Sequence, residues 1–315
     1  MKDKKINTLL IGGGRIGALN KNYSDGLPGN YLSSIQNSKK FHLVGIVEPK
    51  PKSKIISSGV KIFKDINDVN KNYFDLVFLA SSTESHFEVL RSLGKYKPKL
   101  VVAEKPLTTC LSNSLKIYNL YKKNKIEILV NFSRRFVDFY HSLKKEINSH
   151  RIISATIKYG KGIRNNGYHA IDILNFLLGN CKSIKPLARK NDYSNFDPSF
   201  TVFMEYERCN QVFLIGLDHR YFTHFEIEIF TNKKKYLISD DHQSCYVRSL
   251  LSKNNEKKFS KKKKLNTYHN FHFVNLINSA FDVFNRKKNK SDFENLLEVE
   301  KIVDYIEKYE MEKRT

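Results

Sequence analysis

The hydrophobic pattern changes character after about residue 130. Before that point, short apolar runs without polar alternation recur between segments of helical periodicity. Such runs are typical of strands buried on both faces of a parallel sheet, and the helices between them form the crossovers. The pattern therefore predicts a doubly wound parallel sheet. Its strands are expected at 6–11, 41–47, 60–63, 74–80, 100–103 and 126–130, with longer helices at 83–93 and 112–123 and a loop at 23–30.

Beyond residue 130, several strands follow one another with short connections. This arrangement predicts a mainly antiparallel sheet. We therefore expect a first domain of residues 1–130 and a second α/β domain of residues 131–315. The expected strands are 152–159, 200–206, 211–217, 225–230 and 236–239; the expected helices are 135–147, 168–178, 267–285 and 291–312; and the lysine- and asparagine-rich stretch 252–266 is predicted to be a mobile loop.

Cysteine spacing and the lengths of the apolar runs indicate the cellular compartment of the protein. The four cysteines, at positions 110, 181, 209 and 245, lie far apart. Unpaired thiols in a reducing compartment are therefore expected, and no zinc site. No apolar run approaches the roughly 18–20 residues that span a bilayer, and the first run breaks at glycines after only a few residues. We expect a cytoplasmic protein that does not insert into a membrane.

The net charge is strongly basic, because 55 Lys and Arg residues oppose 32 Asp and Glu residues, which leaves +23. Three interpretations are open: nucleic-acid binding, a lysine-rich surface without a specific partner, and attraction of an anionic substrate. The densest runs, 233–235 and 261–264, are predicted at loops or turns. No aromatic residues interleave them, as a base-stacking surface would require. This favours a lysine-rich surface over nucleic-acid binding.

The first predicted strand leads directly into a G-x-G-x-x-G sequence. The first glycine permits a tight turn, the second lets a pyrophosphate approach the backbone, and the third lets the next helix pack on the strand. Free N–H groups at the helix start favour an anion. The sequence therefore predicts a dinucleotide site, whose candidate cofactor-binding residues in this turn are Gly12, Gly14, Arg15, Ile16 and Gly17.

Glu48 ends the second predicted strand, where an acid accepts hydrogen bonds from the adenosine ribose hydroxyls. Its charge would repel a 2′-phosphate, so NAD is predicted in preference to NADP. Lys50 and Lys52 follow closely and would weaken this preference.

Four further segments are similar in order and spacing to motifs of the Gfo/Idh/MocA oxidoreductases. They are the E-K-P sequence at 104–106, the turn at 80–86, the segment 130–136, and the helix 167–172 continuing to 179. The resemblance covers nearly the whole chain. It implies an N-terminal Rossmann domain, a C-terminal α/β domain with a large open sheet, and nicotinamide-dependent oxidation or reduction of sugars and related polyols.

The resemblance also implies roles near the reacting atoms. Lys105 matches the lysine that hydrogen-bonds the substrate oxygen, where a cation stabilises developing alkoxide charge. Pro106 after it is expected to follow a cis bond, as it often does in the family. Glu104 matches a position near the nicotinamide ribose, with a solvated loop carboxylate as the alternative, and Ser81 in the 80–86 turn is a further cofactor-binding candidate.

His169 is the candidate general acid/base, because imidazole exchanges a proton near neutral pH. Asp172 either orients His169 or the substrate, or pairs locally. Many family members have an aspartate four residues before this histidine, whereas this chain has Asn165, which can hydrogen-bond a sugar but cannot accept a proton. Asn165, Asp172 and Arg135 are therefore substrate-binding candidates; for Arg135 a structural ion pair is the alternative.

These inferences predict an NAD-dependent oxidoreductase that acts on a sugar or nucleotide sugar, with Lys105 and His169 at the reacting oxygen. A second possibility retains the cofactor and recycles it within one site. A catalytically silent dinucleotide sensor on the same fold is the alternative from a different class. The loop at 23–30 and the segment 162–169 resemble a subgroup associated with surface-polysaccharide biosynthesis. We also expect a homodimer or homotetramer formed through the C-terminal sheet.

Overall fold

A computed structural model describes residues 5–239, 242–253 and 256–312 of the chain. The described strands are β1 (Ile6–Ile11), β2 (Phe41–Val47), β3 (Ile62–Phe63), β4 (Leu76–Leu79), β5 (Leu100–Ala103), β6 (Glu127–Val130), β7 (Ile152–Tyr159), β8 (Cys181–Ser194), β9 (Asp197–Tyr206), β10 (Cys209–Gly216), β11 (Phe225–Thr231), β12 (Lys234–Ile238), β13 (Ser244–Lys253), β14 (Glu256–Phe259) and β15 (Lys263–Asn266). The α-helices are α1 (Tyr31–Gln36), α2 (Ser53–Ile56), α3 (Thr83–Tyr96), α4 (Leu111–Asn124), α5 (Asp138–Asn148), α6 (Tyr168–Leu178), α7 (His272–Phe284) and α8 (Phe293–Glu312).

The chain divides into two compact units. One contains Met1–Phe136 and Asn270–Leu297, and the other contains Val137–His269 and Glu298–Thr315. The first unit thus includes a return of the chain that a single boundary after residue 130 leaves out. The reason is burial, since Phe273 and Leu276 of α7 belong to the same hydrophobic core as Phe78 of β4.

The first unit is built on a six-stranded sheet in the order β3-β2-β1-β4-β5-β6. All of its strand pairs are parallel. The residues of β4 and β5 are all buried, which explains their unbroken apolar sequences. The predicted doubly wound parallel sheet is confirmed. The predicted loop at 23–30 is also present, between a short π-helical turn, Arg15–Leu19, and α1.

The second unit contains a nine-stranded sheet in the order β14-β13-β12-β11-β7-β10-β9-β8, with β15 paired to β13. Its pairs are antiparallel except for β10 and β7, which run parallel. The prediction of a large, mainly antiparallel sheet is therefore confirmed. Helix α6 is buried along most of its length, and it has the bounds that the sequence pattern predicts.

Two predictions of local structure are wrong. The stretch 252–266 is not a loop in its described residues, because it contains the end of β13 and the strands β14 and β15. The lysine runs at 233–235 and 261–264 likewise extend into β12 and β15. The strands β14 and β15 pair only with β13 and are mostly exposed, so they carry lysines without the alternation of a half-buried strand. The same lack of alternation explains why the sequence pattern does not predict β8.

Candidate active site

The candidate cofactor site lies at the carboxyl edge of the parallel sheet. Successive strands are added to one side of β1 up to β3 and to its other side from β4 onwards, and open α/β sheets bind ligands at such a switch in strand order. A cavity of about 470 Å³ opens there. Predicted cofactor residues line it, namely Gly12, Gly14, Glu48 and Ser81.

The glycine turn fits the close approaches that the motif predicts. Gly12 has φ +93°, and a Cβ there would lie 2.3 Å from the backbone nitrogen of Ser81. A Cβ on Gly17 would lie 2.1 Å from the carbonyl oxygen of Gly12. A Cβ on Gly14, by contrast, would meet no atom within 4 Å. The turn is therefore tight where it packs on the sheet and open at Gly14, which suits a pyrophosphate.

Arg15 and Ile16 follow in the short π-helical turn, and both are exposed. The first helical segment after the glycines is only Arg15–Leu19, so the anion-binding groups on this side are the backbone N–H groups of the turn. The tight turn, the open side of Gly14 and the acid described next together fit a dinucleotide.

The carboxylate of Glu48 faces the glycine turn. Its Oε2 accepts the N–H of Gly13 at 2.7 Å, and its Oε1 accepts the N–H of Lys50 at 3.1 Å. Each oxygen retains a lone pair for a ribose hydroxyl. Lys64, directly after β3, also lines the cavity. Sequence analysis missed Lys64, although its place at the carboxyl end of a strand beside β2 is the clue that indicates it.

His86 joins the Ser81 turn to the segment around Lys105. Its two ring nitrogens lie 3.0 Å from the carbonyl oxygen of Ser81 and 3.1 Å from that of Leu107. Burial lowers the pKa of the imidazole, although the two carbonyls favour its protonated form. The hydroxyl of Ser81 accepts a hydrogen bond from Ser85 at 2.8 Å. His86 thus links the Ser81 turn to the chain just after Lys105 and is a structural residue that sequence analysis gave no role.

Glu104 and Lys105 directly follow β5, and the Lys105–Pro106 peptide bond is cis as expected. The Oε1 atom of Glu104 accepts hydrogen bonds from the Tyr31 hydroxyl at 2.8 Å and from the Asn131 amide at 2.7 Å. Burial raises the pKa of the Glu104 carboxyl, and those two donors oppose the rise. Two hydrogen bonds therefore fix the Glu104 side chain at the same sheet edge as the glycine turn, and Lys105 is the next residue in the chain.

Arg135 is buried in the first unit, with 6 % of its surface exposed. Its Nη1 donates to the carbonyl oxygen of Lys290 at 3.2 Å and to Asn295 Oδ1 at 3.2 Å. These bonds hold the returning segment of the chain, which is a structural function. Its assignment to substrate binding stays a prediction.

Asn165, His169 and Asp172 lie in the second unit. Asn165 belongs to a π-helical turn, Gly162–Gly167, that leads directly into α6. His169 is the second residue of α6 and is partly buried, whereas Asp172 is 1 % exposed. The three residues therefore share one continuous helical segment, while Lys105 belongs to the first unit.

Side chains of β8 and β9 hold this turn, and sequence analysis missed them. Asp192 and Asp197 accept hydrogen bonds from backbone N–H groups of the segment 161–165. Their sequence clue is Gly162, whose φ of +79° is one that glycine adopts readily.

Within the described ranges 5–239, 242–253 and 256–312, no group of three or more His, Cys, Asp or Glu residues has the arrangement of a metal site. Over the same residues, no helix is long and apolar enough to cross a bilayer.

Residues 6–132 match the GFO_IDH_MocA family, described as an oxidoreductase family with an NAD-binding Rossmann fold. The predicted resemblance is thereby confirmed over the first unit's sheet. This part of the chain is therefore similar to the NAD-binding Rossmann domain of that oxidoreductase family.

Solved structures of oxidoreductases share the fold over nearly the full length. A dehydrogenase (MviM) from Clostridium difficile is 19 % identical with a TM-score of 0.75, and the match covers 97 % of this chain and 100 % of that one. A dehydrogenase from Chromobacterium violaceum is 12 % identical with a TM-score of 0.78, covering 96 % and 94 %. An oxidoreductase from Agrobacterium radiobacter, crystallised with NAD⁺, L-tartaric acid and magnesium, is 15 % identical with a TM-score of 0.73, covering 96 % and 95 %.

Proposed function

We propose that this protein transfers a hydride between nicotinamide and a carbinol or carbonyl carbon of a sugar or nucleotide sugar, with NAD preferred to NADP. The observation that carries the proposal is the placement of Glu104 and Lys105 directly after β5, on the sheet edge that also bears the glycine turn. A lysine at that edge lies beside the place where a Rossmann domain holds its cofactor.

Residues of the first unit would hold the cofactor. The backbone of the glycine turn binds the pyrophosphate, and Glu48 accepts the adenosine ribose hydroxyls. The bound nicotinamide supplies or accepts the hydride. Glu104, whose Oε1 is held by Tyr31 and Asn131, would bind the nicotinamide ribose.

Lys105 and His169 divide the remaining chemistry. During oxidation the substrate C–H bond breaks, and the hydrogen leaves with its electron pair as hydride. The hydroxyl proton passes to His169 as the carbonyl forms, and the Lys105 ammonium stabilises the negative charge that develops on the oxygen. Asn165 and Asp172 bind or orient the sugar, and reduction is the reverse.

The test is a panel of free polyols, sugars and nucleotide sugars assayed for NAD⁺ reduction by absorbance at about 340 nm. We expect at least one class to be oxidised. Lys105→Ala should lose on the order of 10²–10³ in turnover, as when one oxyanion-stabilising donor is removed, with unchanged NADH affinity. Lys99→Ala is the matched control, because Lys99 is an exposed lysine that precedes β5; its ammonium lies 3.9 Å from the Asp75 carboxylate and 4.9 Å from the centre of the Phe284 ring. Parental turnover in Lys105→Ala would refute the assignment.

The open face of the nine-stranded sheet is proposed to pair two or four copies of the chain. On this face the ring centres of Phe203 and Phe213 lie 5.3 Å apart, and Lys158 pairs with Glu226 at 3.0 Å. Alternate residues of β9 and β11 are buried, whereas Phe203 in β9 and Glu226 in β11 are partly exposed. Light scattering should give a dimer or tetramer mass for the parent and a smaller mass for Phe213→Glu.

A further inference from the structure

The turn Gly162–Gly167 begins without a conventional cap. Its preceding residue, Lys161, has φ +75° and makes no side-chain capping hydrogen bond. The first N–H groups of a helical segment have no partner within it and must be bound by other groups. Here the partners come from the hairpin of β8 and β9, which lies about thirty residues later in the sequence.

Four backbone N–H groups of the segment are bound by three hairpin side chains. Lys161 donates to Asp192 at 2.7 Å, and Gly162 donates to the Ser199 hydroxyl at 3.0 Å. Asp197 accepts two bonds, one on each carboxylate oxygen: Oδ1 from the N–H of Arg164 at 2.8 Å, and Oδ2 from that of Asn165 at 3.1 Å.

Gly162 is shaped to admit the Asp197 carboxylate. It has φ +79°, and a Cβ there would lie 2.2 Å from Asp197 Oδ2 and 2.5 Å from Oδ1. Any side chain at position 162 would therefore displace the group that binds the next residues of the turn. The hydrogen bonding of the turn therefore needs both the Asp197 carboxylate and a glycine at position 162.

Burial and several neighbouring groups shift the pKa of Asp197. Burial raises its pKa to about 6, against the two N–H bonds and the Arg164 charge, which lower it. The Arg164 guanidinium is itself paired with Glu307 at 2.6 Å, so its charge is shared. The titratable or charged groups that act on Asp197 or lie beside it are Arg164, Glu307, Asp192, Tyr159 and Tyr168.

We propose that Asp197 is a positioning residue whose ionised carboxylate holds the 162–167 turn, and with it Asn165 and the start of the His169 helix, in the conformation used for substrate. The catalytic consequence of this proposal rests on the proposed function. The hydrogen bonds that Asp197 accepts from the turn, here called the clamp, lie within the second unit alone. When Asp197 is protonated, one oxygen becomes a hydroxyl and no longer accepts an N–H bond equally well.

Amide hydrogen exchange of residues 162–167 tests the clamp without substrate or cofactor. In the parent protein, the Arg164 and Asn165 amides, corrected for intrinsic exchange, should be protected at pH 7.5 because both are bound to Asp197. In Asp197→Asn these amides should exchange about tenfold faster at pH 7.5, since a carboxamide has only one acceptor oxygen. Gly162→Ala should have the same effect, and the double variant should add little. Asp304→Asn, which removes a partly buried carboxylate paired with Lys308, is the matched control.

The outcomes separate the clamp from the proposed function. Parental protection in Asp197→Asn, or unprotected Arg164 and Asn165 amides in the parent, would overturn the clamp; the parent measurement needs no variant to fold. If the clamp is present and no compound of the panel is oxidised, the proposed function fails while the clamp stands. Where turnover is found, Asp197→Asn should lower kcat while NADH affinity stays parental. Loss of thermal stability alone, with parental amide protection and parental kcat, would also overturn the proposal.

Discussion

Two substitutions in the glycine turn separate cofactor binding from folding. At Gly14 the backbone has φ −68° and ψ −159°, which any L-residue adopts, and an added Cβ meets no protein atom. At Gly17 an added Cβ lies 2.1 Å from the carbonyl oxygen of Gly12, a backbone atom that cannot rotate away. Gly14→Ala should therefore harm binding only, and Gly17→Ala should harm folding.

The magnitudes follow from these contacts. The Gly14→Ala methyl group would stand where the pyrophosphate approaches the backbone, so we expect the loss of a charge-assisted hydrogen bond, about 1.5–3 kcal/mol. This corresponds to roughly 10–150-fold weaker NADH binding. Overpacking at Gly17 should cost about 1–3 kcal/mol. For a unit of this size that lowers Tm by roughly 2–12 °C.

NADH fluorescence titration and thermal unfolding without ligand measure the two effects separately. The chain contains no tryptophan, so the emission of NADH is recorded without energy transfer from that residue. Gly14→Ala should keep the parental Tm and lose affinity. Parental affinity in a well-folded Gly14→Ala protein would refute the placement of the pyrophosphate, and a parental Tm in Gly17→Ala would refute the close packing of the turn.

Three further changes have defined outcomes. The parent should bind NADH at least several-fold more tightly than NADPH, and Glu48→Ala should narrow this gap because it removes both ribose acceptors and the repulsive charge; equal affinities in the parent would contradict the assignment. His169→Asn should lower kcat by about 10²–10⁴ and remove its contribution to the acid limb of the pH–rate profile, whereas an unchanged rate and profile would place the acid/base elsewhere. Replacing the lysines at 261–264 by glutamine should leave steady-state kinetics within about twofold at physiological salt, where exposed charges are screened; a large rise in KM for an anionic substrate would instead indicate that this edge attracts it.

Sequence alone predicts the parts of the fold that depend on burial and local sterics. The apolar run of β1 and the spacing of Gly12, Gly14 and Gly17 correspond to a buried strand and a turn with atomic clearances that only glycine allows. The helix α6 is similarly defined by its apolar residues. These features depend on neighbours in sequence, so the sequence shows them.

Features that depend on distant pairing are not visible in the same way. The strands β14 and β15 exist because their backbones pair with β13, which no alternation of their lysines reveals. The return of α7 to the first unit depends on which core Phe273 enters. In the candidate site, Asp197 acts on a turn some thirty residues earlier, and Lys64 reaches the cavity because β3 lies beside β2.

The central claim is hydride transfer from a substrate carbon, and isotopic labelling tests it most directly. Polyols and sugars deuterated at their carbinol carbons are incubated with NAD⁺ and the parent enzyme, and the NADH formed is analysed by mass spectrometry and NMR. The account predicts NADH carrying one deuterium at the nicotinamide C4 position, with formation strongly reduced in Lys105→Ala. NADH without deuterium, or equal formation in both proteins, would contradict it.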